Sequence, residues 1–110
     1  MARDIVDAIA EKKGEDILLL DIRDISLITD YFILCTGTSE RQLKAILEGI
    51  EEVTYKHYGL HPWHVEGEAA NGWVLLDYGD IVVHIFAPQQ RSYYDLESLW
   101  KRAHVVLRIQ

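Results

Sequence analysis

Apolar positions change their period several times along the chain, and each change marks an element. From about Asp4 to Lys13, the residues Ile5, Val6 and Ile9 recur at helical spacing. Lys12-Lys13-Gly14 is a stop signal, with cations at the negative end of the helix dipole and then glycine. Ile17-Leu18-Leu19-Leu20-Asp21-Ile22 is short and almost continuously apolar, the pattern of a strand buried on both faces. A second such run, Tyr31 to Thr36, follows a spacer of roughly eight residues, whereas a parallel crossover takes about a dozen or more. These two strands are therefore predicted to run antiparallel if they pair.

Ser39 is a natural N-cap, and Gln42 three residues on completes a capping box. Leu43, Ile46, Leu47, Ile50 and Val53 then keep helical spacing until Gly59, with Lys44, Glu48, Glu51, Glu52 and Lys56 mostly on the other side. A strand is predicted over His61 to Glu66. Gly72 to Tyr78 and Asp80 to Phe86 read as a hairpin pivoting on Gly79. Pro88 breaks the pattern, and Asp95 caps a last helix with Leu96, Leu99, Trp100 and Ala103 on one face. The tail from Val105 to Ile109 fits both an extension of that helix and a short strand.

Alternation sorts the hairpin into two faces. Val74 and Leu76, with Ile81, Val83 and Ile85, form a wholly aliphatic set that must be core. The opposite set joins Trp73, Leu75 and Asp77 to Val82, His84 and Phe86. That second face is apolar enough to bind a partner and polar enough to face water. Two readings compete for it: a helix covers it and His84 is a buried histidine, or it is a docking face, tryptophan being enriched among interface hot spots.

The strand–helix–strand unit through residues 31–66 can close as a right-handed crossover. With the hairpins this predicts one α/β domain over residues 1–110, a mixed sheet of about five strands with helices packed mainly on one side.

Composition narrows the function. Net charge is −7, from 11 basic and 18 acidic residues. An acidic surface repels phosphate backbones, so RNA binding is disfavoured as the main activity and a basic protein partner is favoured. The single cysteine, Cys35, excludes an internal disulfide and sits in an apolar run, as a core thiol does. The N-terminus has acids where a signal peptide has its apolar segment, and no apolar stretch approaches the roughly 20 residues that span a bilayer. A cytoplasmic protein is expected.

Several chemistries are weighed and set aside. Gly37-Thr38-Ser39 at a helix start could hold a phosphate, which makes a metal-dependent nucleotidyltransferase the main enzymatic alternative. That chemistry needs paired acids for magnesium, usually Asp-x-Asp, and Asp77 and Asp80 instead lie across a turn. His64, Glu66 and Glu68 would share a strand face but lack the convergent cysteine or histidine set of a zinc site. Arg91 near Tyr93 and Tyr94 could stack on a base, but aromatic packing around the last helix is the favoured reading, and pairing of Arg91 with an acid such as Asp30 or Asp21 is a further alternative. No cofactor, metal or catalytic residue is predicted.

The chain resembles the ribosomal silencing factor, or Iojap-like, family. The resemblance rests on Leu20-Asp21-Ile22-Arg23, Thr29-Asp30-Tyr31-Phe32, Thr36-Gly37-Thr38-Ser39-Glu40-Arg41-Gln42, Gly72-Trp73-Val74-Leu75-Leu76-Asp77-Tyr78-Gly79-Asp80, Val83-His84-Ile85-Phe86 and Leu96-Glu97-Ser98-Leu99-Trp100. No tripeptide in it is specific, but the ordered set is. The resemblance implies a nucleotidyltransferase-like fold without catalytic residues. It also implies a translation repressor that binds the large ribosomal subunit through its protein number fourteen and blocks joining of the small subunit when nutrients are short. Some members are homodimers, so a homodimer is a further expectation, with rRNA contact at most peripheral. On this chain the contact is placed on Trp73, Leu75 and Asp77, with Tyr78 and Asp80 from the turn, Val82 in the apolar centre, and His84 and Glu66 as polar anchors.

Overall fold

The computed structural model describes residues 1–93 and 101–109. In chain order it contains α1 (Ala2–Glu11), β1 (Glu15–Asp21), β2 (Tyr31–Thr36), α2 (Glu40–Tyr58), β3 (His64–Glu68), a 3₁₀ turn (Ala69–Asn71), β4 (Trp73–Asp77), β5 (Ile81–Phe86), α3 (Pro88–Tyr93) and β6 (His104–Ile109). The helix expected from Asp95 falls mostly outside the described residues.

The strands form one sheet of six, in the order β3-β4-β5-β2-β1-β6. The sixth is the C-terminal tail: Val105 to Ile109 is a strand, antiparallel to β1. β1 and β2 pair antiparallel, as the short spacer requires. The parallel partner of β2 is β5, with Tyr31 opposite Ile81 and Thr36 opposite Phe86. The crossover through α2 therefore delivers β3 to the far edge, three strands from β2, and the hairpin folds back to place β4 and β5 between them. β3 also starts later than expected, because Pro62 and Trp63 belong to the approach and Trp63 N–H donates to the Asp77 carbonyl at 2.7 Å.

β1 has β2 and β6 on its two edges, and its faces are buried separately, Ile17 and Leu19 in one apolar cluster and Leu18 and Leu20 in another, which explains its continuous apolar run. Ile17 and Leu19 join Ile33, Cys35, Val74, Leu76, Ile81, Val83 and Ile85 beneath the stripes of α1 (Ile5, Val6, Ile9) and α2 (Leu43, Ile46, Ile50). Cys35 is fully buried there, and burial pushes its thiol up to about 12, so it stays a neutral packing group. Leu18, Leu20, Ile22, Leu34 and Phe86 form a second cluster on the opposite face.

Gln42 ties the two helices together. Ser39 Oγ accepts from Gln42 N–H at 3.1 Å, the N-cap bond that the sequence predicts. The return bond reaches one residue further, with Gln42 Oε1 accepting from Thr38 N–H at 2.7 Å. Gln42 Nε2 donates to the carbonyls of Lys12 and Lys13, at 3.2 and 2.8 Å, satisfying the end of α1. The stop signal of α1 is also built differently from the expectation. Lys13 N–H bonds the Ala10 carbonyl and Gly14 N–H bonds the Ile9 carbonyl, a Schellman pair whose left-handed position is Lys13, at φ 66°. Gly14 is required for space: a Cβ there would lie 2.4 Å from Ile9 Cγ2.

Candidate docking face

The hairpin register is the one that alternation implies: Asp77 opposite Val82, Leu75 opposite His84, Trp73 opposite Phe86. β3 continues each row outward, with His64 beside Asp77, Glu66 beside Leu75 and Glu68 beside Trp73. β2 continues all three inward, with Phe32 beside Val82, Leu34 beside His84 and Thr36 beside Phe86. The face away from α1 and α2 thus grades from exposed and acidic at β3, through half-buried at β4, to mostly buried at β5 and β2, where Val82, Phe86 and Leu34 are buried and His84 and Phe32 half-buried. Ile22, Ile25 and Ala103 help to cover its inner half.

This gradient divides the residues assigned to docking. Glu66 and Asp80 are exposed, and Trp73, Leu75 and Asp77 are half-buried. Val82 is buried at 7% exposure, so it underlies the face and does not present an apolar centre. His84 is also largely enclosed. Its ring lies edge-on to Phe32 with centroids 5.1 Å apart and stacks on Phe86 at 5.7 Å. Neither ring nitrogen has a hydrogen-bond partner, and burial pushes the pKa down to about 4, so the imidazole is neutral. It is a largely enclosed packing group in this structure, and neither ring nitrogen acts as a polar anchor. Tyr78 points to the helix side, where its hydroxyl meets that of Thr54 at 2.9 Å. It supports the turn from beneath and offers no surface.

The turn is built from the acids themselves. Asp77 Oδ1 accepts from Gly79 N–H at 2.8 Å, and Gly79 takes φ 92°, which few other residues tolerate. One oxygen of Asp77 is therefore committed to the turn. The Asp80 carbonyl accepts from the N–H groups of Asp30 and Tyr31, both at 3.0 Å, joining the hairpin to the β1–β2 loop. Trp73 packs against the second apolar cluster and over Gly67, where a Cβ would meet its Cε3 at 2.8 Å.

Other expected pairings resolve differently. Arg91 Nη1 donates to the Asp16 carbonyl at 2.8 Å and to Thr36 Oγ1 at 2.7 Å. It does not pair with Asp21 or Asp30, because Asp21 is held by Arg23 at 2.6 Å. That guanidinium keeps the Asp21 carboxyl low, at about 2. His64 Nε2 and Glu66 Oε1 lie 2.7 Å apart as an exposed pair on one strand. Among the described residues no group of three or more histidines, cysteines and acids could hold a metal, and no helix is long and apolar enough to cross a membrane.

The alternation argument missed residues at the end of the sheet. Leu27, Ile28 and Trp63 are the most exposed large apolar side chains described, at 105%, 90% and 85%. A signal existed: Leu27-Ile28 fits neither strand period, and Trp63 lies in a polar approach segment beside a proline.

A family model described as "Ribosomal silencing factor during starvation" matches residues 1–110. The ribosomal silencing factor RsfS of Halalkalibacterium halodurans is 42% identical over 101 residues, covering 92% of this chain and 86% of that protein. The Bacillus subtilis RsfS is 46% identical over 90 residues, covering 82% and 75%. The chloroplastic Iojap protein of Zea mays is 37% identical over 100 residues, 90% of this chain and 42% of its own length. Among solved structures, one from Chromobacterium violaceum superposes with a TM-score of 0.82 at 37% identity, covering 91% of this chain and 82% of the other. One from Bacillus halodurans gives 0.79 at 39%, covering 90% and 91%. Matched over its whole length by the family model and 42% identical to a ribosomal silencing factor over 92% of its residues, the chain belongs to the ribosomal silencing factor family.

Proposed function

We propose that this chain represses translation in the cytoplasm by docking, as one domain over residues 1–110, on the large ribosomal subunit. The partner is a basic ribosomal protein, number fourteen, on the face that meets the small subunit, so that the docked protein blocks subunit joining when nutrients are short. The contact uses the outer half of the sheet face, with Trp73, Leu75 and Asp77 flanked by Glu66 and Asp80, while Val82, His84 and Tyr78 hold that surface from below. Contact with rRNA is peripheral, and a homodimer is a second state of the free protein.

One observation carries this reading beyond family membership. From Gly59 to Gln90 the chain has no lysine or arginine, yet it carries Glu66, Glu68, Asp77 and Asp80. This stretch forms β3, β4 and β5, so the exposed end of the face is acidic and suits a cationic protein surface. Nothing among the described residues favours the nucleotidyltransferase alternative, because Asp77 is engaged by its own turn.

The test is co-sedimentation of the purified protein with isolated large subunits, followed by a subunit-joining assay. Binding and inhibited joining are expected. Trp73→Ala should weaken binding by roughly 2 kcal/mol or more if this residue is a hot spot. Because Trp73 is half-buried, binding is measured well below the variant's melting temperature, and Leu75→Gln serves as a second variant. Wild-type protein that fails to sediment with large subunits defeats the proposal.

A further inference from the structure

The three most exposed apolar side chains described do not scatter over the surface. Leu27 and Ile28 stand on the β1–β2 loop, Trp63 on the approach to β3, and the β4–β5 turn lies between them. The loop is bonded to that turn through the Asp80 carbonyl, and Trp63 N–H is bonded to the Asp77 carbonyl on its other side. The Trp63 indole nitrogen comes within 4.0 Å of where a Cβ on Gly79 would stand. All three tips therefore crown one end of the sheet.

The loop is not a loose tether. Ile22 N–H bonds the Asp30 carbonyl and closes the loop at its base. Ile25 and Ser26 N–H groups bond the Ile22 carbonyl. Ser26 Oγ accepts from the N–H groups of Ile28 and Thr29, both at 3.2 Å. Thr29 is buried at 7% while its neighbours Leu27 and Ile28 face solvent. A loop held by its own backbone bonds and still presenting two bare aliphatics loses little entropy on binding. Exposed apolar groups clustered on a rim mark an interaction site.

The charge around the tips selects the partner. Asp24, Asp30 and Asp80 are exposed beside them, and residues 24–40 contain no lysine or arginine. The nearest upstream cation, Arg23, is bound by Asp21 in a close ion pair. An acidic rim disfavours RNA and anionic lipid.

We propose that Leu27, Ile28 and Trp63 are apolar anchors that insert into recesses of a lysine- and arginine-rich protein surface, with the aspartates around them meeting its cations. This rests on the docking reading above and moves the centre of contact from the flat of the sheet to its end.

The test compares wild type, the double variant Leu27→Ser/Ile28→Ser, Trp63→Ser and Asp80→Lys for binding to isolated large subunits and to deproteinised rRNA. Glu11→Lys, on α1, is the control. The altered side chains are exposed, so melting temperatures should match wild type within a few degrees. At least tenfold weaker subunit binding is expected for the double variant and for Trp63→Ser, with a clear loss for Asp80→Lys and none for Glu11→Lys. Wild-type binding with full affinity in both apolar variants overturns the anchor assignment and leaves the docking reading standing. Absence of wild-type binding to subunits overturns both. Binding to bare rRNA that is as tight as to subunits overturns the choice of a protein partner.

Discussion

The hydroxyls of Tyr78 and Thr54 lie 2.9 Å apart in an otherwise apolar interior, and they fasten the β4–β5 turn to α2. Thr54 has a second partner, the Glu51 carbonyl at 3.2 Å, whereas the phenol has no other bond shown. The two deletions are therefore unequal. Tyr78→Phe should cost about 1 kcal/mol, since Thr54 keeps a partner. Thr54→Val should cost about 2 kcal/mol, because it strands a buried phenol oxygen. Urea unfolding of both singles and the double variant measures the coupling, and additive losses would show that the pair does not interact.

Gln42 serves two helix ends with one amide. Gln42→Ala should destabilise the protein by about 1–2 kcal/mol through the lost bonds to Thr38, Lys12 and Lys13. Gln42→Glu keeps an acceptor for Thr38 but cannot donate, and it sets a negative charge against the carbonyl end of α1. It should be at least as damaging as alanine at neutral pH and partly recover in acid. Equal stability of the glutamate variant and wild type would remove the capping role of the amide.

Lys13 occupies the left-handed position that usually takes glycine, at φ 66°. Lys13→Gly should stabilise the protein by about 0.5–1 kcal/mol, relieving backbone strain at a small cost in unfolded-chain entropy. Gly14→Ala should do the reverse, because its Cβ collides with Ile9. Thermal melts of the two single variants should shift in opposite directions.

The His84 pKa, lowered to about 4, sets a pH dependence. The unfolded chain takes up this proton near the ordinary value of about 6.5, and the folded protein resists it. Between those values the unfolded state binds more protons, so stability falls as pH drops from about 6.5 to about 4. The loss attributable to His84 is on the order of 2–3 kcal/mol. His84→Leu should shrink the difference between urea midpoints measured at pH 7.5 and 5.0. An unchanged difference would assign the effect to other groups.

Most of the frame was readable because the period of apolar residues reports burial directly. β2 fell on Tyr31–Thr36 as expected, and the hairpin faces followed from alternation alone. What could not be read depends on long-range pairing. Nothing local in Tyr31–Thr36 tells that its parallel neighbour is β5 and not β3. Nothing in Val105–Ile109 decides between helix and strand until β1 offers an edge. Val82 and His84 looked available because alternation gives the face and not its cover. The bond from Gly79 N–H to Asp77 is a property of the turn, which alternation does not report. The exposed tips escaped for a different cause: a period search discards the residues that break the period.

The sheet order has a consequence for the life of the chain before it is complete. β1 and β2 are made early, yet their outer neighbours, β6 and β5, are made late. While the polypeptide emerges, Ile17–Leu20 and Ile33–Cys35 can pair with each other and shelter under the first two helices, but both flanks of that nascent ladder stay open. Two strands that end in the interior of the sheet are thus the first to leave the exit channel and the last to be sealed.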